Sequence, residues 1–133
     1  MIEIKKKKFI IGLVLCIMLI SLGSSVSAST YYVYLSTNEY KDSTDDDLFE
    51  YANDYVHYYA YNNSSSAHKV NVYTYASEGN WPIDGYGKKT SNRISPGASV
   101  NAKTRVNYNA YWYLQLNVEY LYKNCTANGY IKN

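Results

Sequence analysis

Carboxylates crowd one stretch of this chain: Asp42, Asp45, Asp46, Asp47 and Glu50 all fall within Asp42–Glu50. Such a cluster can hold a hard cation such as Ca²⁺ through several oxygens, but the odd-position spacing and mid-loop glycine of an EF-hand loop are missing. Charge runs of this kind are mostly solvated loops, so no metal is assigned. Cys125 with His57 or His68 would supply a thiol and a base. No motif surrounds the cysteine, however, and no third group is placed to orient the base. The serines sit in loops without a nucleophile elbow or a lysine-based motif. With no catalytic constellation, the chain is read as non-enzymatic, and no cofactor is implied.

Aromatic side chains are the remaining candidates. The chain has 18 tyrosines, all beyond residue 28. Tyrosine favours strands and tolerates half-burial, because its ring packs while its hydroxyl reaches water or a carbonyl. On an exposed sheet, tyrosine and tryptophan can stack on sugar rings or insert into a partner's surface. Trp81, in the Gly/Pro-rich Trp81–Gly87, and the outward set Tyr73, Tyr75, Tyr111 and Tyr113 are therefore the candidate binding residues. The competing role is structural: Trp81 plugging one end of a sandwich, and the tyrosines forming cross-strand pairs.

Those residues need strands to position them. Tyr111–Leu121 (YWYLQLNVEYL) puts Trp112, Leu114, Leu116 and Val118 on one side of an extended chain, and Tyr113, Gln115, Asn117 and Glu119 on the other. That period of two describes a central strand with one dry face. Lys69–Ser77 alternates likewise, with Val70, Val72, Thr74 and Ala76 on its dry side. Tyr31–Leu35, Tyr55–Tyr61, Lys88–Ile94, Ser99–Val106 and Thr126–Lys132 supply further strands, the last interrupted at Asn128-Gly129. Asn62–Ser66 is expected to close a hairpin between Tyr55–Tyr61 and Lys69–Ser77. Ser95-Pro96-Gly97-Ala98 fits a type II turn. Thr44 or Asp45 is a possible cap for one helical turn through Phe49–Ala52. Six or seven short strands with frequent turns predict an all-β fold, a small antiparallel β-sandwich or partly open barrel.

The first segment reads as an address. Lys5–Lys8 precede the apolar run Phe9–Gly23, and Val26-Ser27-Ala28 places small residues at processing positions, so a signal peptide over 1–28 is expected to be cleaved after Ala28. The run is shorter than the ~20 residues that span a bilayer, which argues against a retained anchor. Cys16 lies inside that run, not at its end, which argues against a lipoprotein. The mature remainder, 29–133, is expected to be one tyrosine-rich β domain, secreted and not stably inserted in a membrane.

Removing Lys5–Lys8 and Glu3 from the 13 basic and 11 acidic residues leaves 9 and 10, a net charge near −1. A general attraction to nucleic acid is therefore not supported. Charge is nonetheless segregated. Glu39–Asp54 carries seven acids and Lys41, whereas Lys69–Lys132 carries eight bases and three acids. Pairing of the two halves within the fold is expected, with a basic patch for teichoic acid as the alternative. Cys125 stands alone beyond the signal, so no intramolecular disulfide forms there; it is read as a half-buried thiol, with an intermolecular bridge the minor option.

Lys69–Gly79 (KVNVYTYASEG), together with YWYLQLNVEY and CTANGYI, resembles small secreted proteins of Gram-positive, Bacillus-type bacteria whose function is uncharacterised. More distantly, the size, signal and glycine/aromatic content are similar to the lactococcin 972 type of bacteriocin. These resemblances imply secretion and bring no catalytic residues. The expectation is a secreted module binding a cell-wall polymer or a protein through an aromatic face, or alternatively a bacteriocin-like antimicrobial.

Overall fold

The structure, a computed structural model, describes residues 28–77 and 86–133. The expected signal therefore lies outside the described residues apart from Ala28, and Trp81 lies outside them too. Nine strands are present among the described residues: β1 (Thr30–Leu35), β2 (Lys41–Ser43), β3 (Leu48–Glu50), β4 (Tyr55–Asn62), β5 (Val70–Ser77), β6 (Tyr86–Ile94), β7 (Ser99–Arg105), β8 (Ala110–Val118) and β9 (Ala127–Lys132). They form two antiparallel sheets, sheet A in the order β1-β9-β4-β7 and sheet B in the order β2-β8-β5-β6, with β3 also on β8. The all-β sandwich expected from the alternation is what forms.

The connectivity is that of a double ribbon rolled up. β1 pairs with β9, β2 and β3 with β8, β4 with β7, and β5 with β6. The first half of the chain thus runs beside the second half in reverse. Two further pairings, β4 with β9 and β5 with β8, fuse the ribbon into two sheets. With β2 and β3 counted as one interrupted strand, this is an eight-stranded jelly roll.

That topology corrects the expected hairpin. β4 and β5 lie in different sheets, and Asn63–Lys69 is a crossover between them. The reason is Asn62, fully buried, whose Nδ2 donates to the His68 carbonyl at 3.0 Å and the Ile94 carbonyl at 3.1 Å. Six connections change sheet; the registers place two of them (β3–β4 and β7–β8) at the other end of the sandwich and four (β1–β2, β4–β5, β6–β7 and β8–β9) at this one. The Ser95–Ala98 turn is one of them. It forms as expected, with Gly97 at φ 80° and the Ala98 amide donating to Ser95 at 2.9 Å.

The acidic stretch holds two more corrections. No helical turn forms at Phe49; Leu48, Phe49 and Glu50 pair instead with Trp112, Tyr111 and Ala110. Thr44 caps nothing, but exchanges backbone and side-chain contacts with Leu114. β8 also ends at Val118, three residues before the expected end. Tyr120 and Leu121 there turn left-handed, at φ 54° and 61°.

The dry faces meet between the sheets. Val56, Tyr58 and Ala60 from β4 and Ile131 from β9 pack with Val70 and Val72 from β5 and Trp112, Leu114, Leu116 and Val118 from β8. Gly129 does not interrupt β9. A Cβ there would lie 2.6 Å from the Tyr59 carbonyl oxygen and 3.0 Å from Leu114 Cδ2, so glycine is what lets β9 approach β4 and β8.

Candidate aromatic binding surface

Because inner positions alternate with outer ones, every strand that fills the core also presents tyrosines outward. Tyr73 and Tyr75 from β5 and Tyr111 and Tyr113 from β8 share the outer face of sheet B. The structure thus brings all four onto one face, and it packs three of them, Tyr73, Tyr75 and Tyr113, on one another. Tyr75 stacks on Tyr113 with ring centroids 5.0 Å apart, and Tyr86 meets Tyr113 edge-on at 5.1 Å. Phe49 lies 5.0 Å from Tyr111, and Lys88 Nζ sits 3.9 Å above the Tyr73 ring. Burial, with the Tyr75 hydroxyl and the Asp47 carboxylate nearby, holds the Tyr113 phenol protonated above its ordinary range. This face is half-buried, and its rings are spent on neighbours.

Sheet A carries a second, more open set. Tyr32, Tyr130 and Tyr59 form a row across β1, β9 and β4. Tyr32 meets Tyr130 edge-on at 6.1 Å, and Tyr59 stacks on Tyr130 at 5.4 Å. Tyr32 and Tyr34 are 70% and 60% exposed, because β1 is an edge strand with no neighbour on one flank among the described residues. The signal for them was present: in Tyr32-Val33-Tyr34-Leu35 the aliphatic residues turn inward and the tyrosines must turn out.

A cavity of about 550 Å³ sits at this edge, lined by Tyr32, Tyr34, Tyr59 and Tyr130 on one side and by Asp42, Ser43 and Asp45 on the other. Asp42 stands opposite Leu116, which puts it on the inner face of the β2 edge of sheet B. The tyrosines stand on the outer face of sheet A. A single cavity touching both must wrap around the free edge of β1.

Asp42, Asp45 and Asp46 have no ion-pair partner among the described residues, whereas Asp47 accepts a hydrogen bond from the Tyr86 hydroxyl. The expected pairing of acidic stretch with basic half therefore does not form among them. The ion pair that does form, Arg93–Glu119, lies wholly in the basic half. No group of three or more His, Cys, Asp or Glu able to hold a metal occurs among the described residues. Glu50, opposite Ala110 in the β3–β8 pairing, is buried, and desolvation raises its carboxyl above the usual range, opposed by a hydrogen bond from Asn133.

Cys125 is fully buried, not half-buried, and its thiol donates to the His68 carbonyl at 3.4 Å. His68 stacks its ring on Tyr122 at 4.7 Å, so the arrangement is structural packing. Beside it, at the end with four crossovers, Tyr120, Leu121 and Tyr122 are 77%, 65% and 53% exposed. Left-handed backbone at bulky residues costs roughly 1–2 kcal/mol per position. It is held by the Glu119 amide on Lys69 and the Asn124 amide on Thr37, both at 2.9 Å. No helix among the described residues is long and apolar enough to cross a membrane.

No family model matches the chain, and no curated protein matches it. Among solved structures, a similar one is the crystal structure of the Yersinia pseudotuberculosis-derived mitogen. It is 13% identical at a TM-score of 0.41, covering 80% of this chain and 83% of that one.

Proposed function

We propose that this chain is a secreted, non-enzymatic module that holds a cell-envelope component or a protein partner on its tyrosine-covered surface. The observation that carries this reading is the cavity at β1, where four tyrosines and two carboxylates with no ion-pair partner among the described residues converge on one opening. Concave sites with an aromatic wall and a few converging polar groups are where ligands are held. Highly exposed Tyr32 and Tyr34 have ring area to give, whereas Tyr73, Tyr75 and Tyr113 have committed theirs to one another and Tyr111 its own to Phe49. The test is retention on purified cell wall, peptidoglycan, teichoic acid and envelope proteins, for the wild type and for Tyr32→Ala/Tyr34→Ala. Retention by the wild type that drops at least about tenfold in the variant is expected; no retention on any of them removes the reading.

A second reading, antimicrobial action on a competitor's envelope, is favoured by the apolar tip at Tyr120–Tyr122. Growth inhibition of a bacterial panel that disappears in Tyr120→Ser/Leu121→Ser supports it, and inertness across the panel ends it.

A further inference from the structure

Four strand edges close the two sheets, and three of them are guarded against pairing. β6 carries Lys88, Lys89 and Arg93 and meets β5 through a register shift at Thr74/Tyr75. β7 carries Lys103 and Arg105. β2 and β3 are three residues each. Charges, bulges and shortness are the usual devices that stop a sheet from growing. β1 has none of them: Thr-Tyr-Tyr-Val-Tyr-Leu is uncharged, free of proline, and pairs in unbroken register with β9. A strand of this composition presents a row of backbone donors and acceptors to whatever extended chain comes alongside.

We propose that β1 accepts an extended polypeptide segment as an added strand, with basic side chains at alternate positions. The proposal rests on the binding reading of the β1 cavity and names its partner. Side chains of an added strand alternate between the two faces. On the outer face they meet Tyr32 and Tyr34, which suit apolar residues or the stem of a lysine. On the inner face they meet Asp42 and Asp45, which have no ion-pair partner among the described residues. Main-chain hydrogen bonds supply affinity and the alternating walls supply selectivity, as in strand addition generally. The same carboxylates disfavour the simplest rival, a second copy paired through its own β1. A two-fold axis there would bring two sets of Asp42, Asp45 and Asp46 together, with one lysine, Lys41, per copy beside them.

The probe is a capped peptide of alternating lysine and valine, as long as β1. Its controls are the same peptide with proline at every second valine and a glutamate–valine version. Binding is followed by fluorescence anisotropy, and amide exchange is followed residue by residue. The lysine–valine peptide is expected to bind, to slow exchange of the outward amides of β1, and to bind about fivefold more weakly to Asp42→Asn/Asp45→Asn. The proline and glutamate peptides are expected not to bind. Equal binding of the proline peptide, or unchanged exchange in β1, overturns the proposal. So does protection of β1 without peptide accompanied by a doubled mass, which assigns the edge to a second copy. If the peptide fails but wall polymer is still retained through Tyr32 and Tyr34, the strand proposal falls and the binding module stands. If neither is retained, both fall.

Discussion

At the scale of single residues, exposure separates tyrosines that hold the sheet from tyrosines free to meet a partner. Tyr75 and Tyr113 face each other across β5 and β8, and each covers the other's ring. Removing either one is predicted to lower stability by about 0.5–1.5 kcal/mol, read from denaturant unfolding. Tyr34 covers nothing comparable, so Tyr34→Ala is predicted to change stability by less than about 0.5 kcal/mol. Glu50 makes a prediction in pH. Its folded carboxyl binds a proton more readily than the unfolded one, because burial penalises the charge. The stability this contributes is fully present below the ordinary glutamate range and is lost as pH rises through the raised folded value. Glu50→Gln is therefore expected to raise Tm at neutral pH and leave it unchanged in acid below that range. A Tm that falls at neutral pH and not in acid would show the carboxylate to be a net stabiliser.

At the scale of elements, close approach and crossover chemistry set the geometry. Gly129→Ala places a methyl 2.6 Å from a backbone carbonyl that cannot move without shifting β4. A loss of about 1–3 kcal/mol is predicted from thermal unfolding. The strands were legible from their period of two, since Trp112-Leu114-Leu116-Val118 and Val70-Val72 can face the core only as extended chain. Less legible was which strands pair. Asn62–Ser66 looks like a hairpin loop locally, and only the buried Asn62 amide, bonded to a strand far along the chain, shows it to be a crossover. β2 and β3 were hidden for a related reason: three residues among aspartates carry no period, and β8 recruits them through tertiary pairing. Of the surface, the sheet B tyrosines could be read from alternation. The sheet A set could not be ranked above them, because exposure depends on β1 being an edge, and edges follow from topology.

At the scale of the whole molecule, the jelly roll explains why aromatic surface is plentiful and unevenly available. Rolling one ribbon into two sheets leaves four edges and two outer faces, and this chain guards every edge but one. The same topology pairs the first strand with the last, so most stabilising contacts close long loops. Refolding is accordingly predicted to be slow for the chain's size, roughly milliseconds to seconds, by stopped-flow fluorescence. Microsecond refolding would be incompatible with these pairings. On the proposed function, the molecule works through the β1 edge and its flanking tyrosines. The most direct measurement is an NMR map of the residues perturbed when purified envelope material is added. Shifts concentrated at Thr30–Leu35, Tyr59, Tyr130 and Asp42–Asp45 are predicted; shifts confined to Tyr73, Tyr75, Tyr111 and Tyr113, or to the Tyr120–Tyr122 tip, would contradict it.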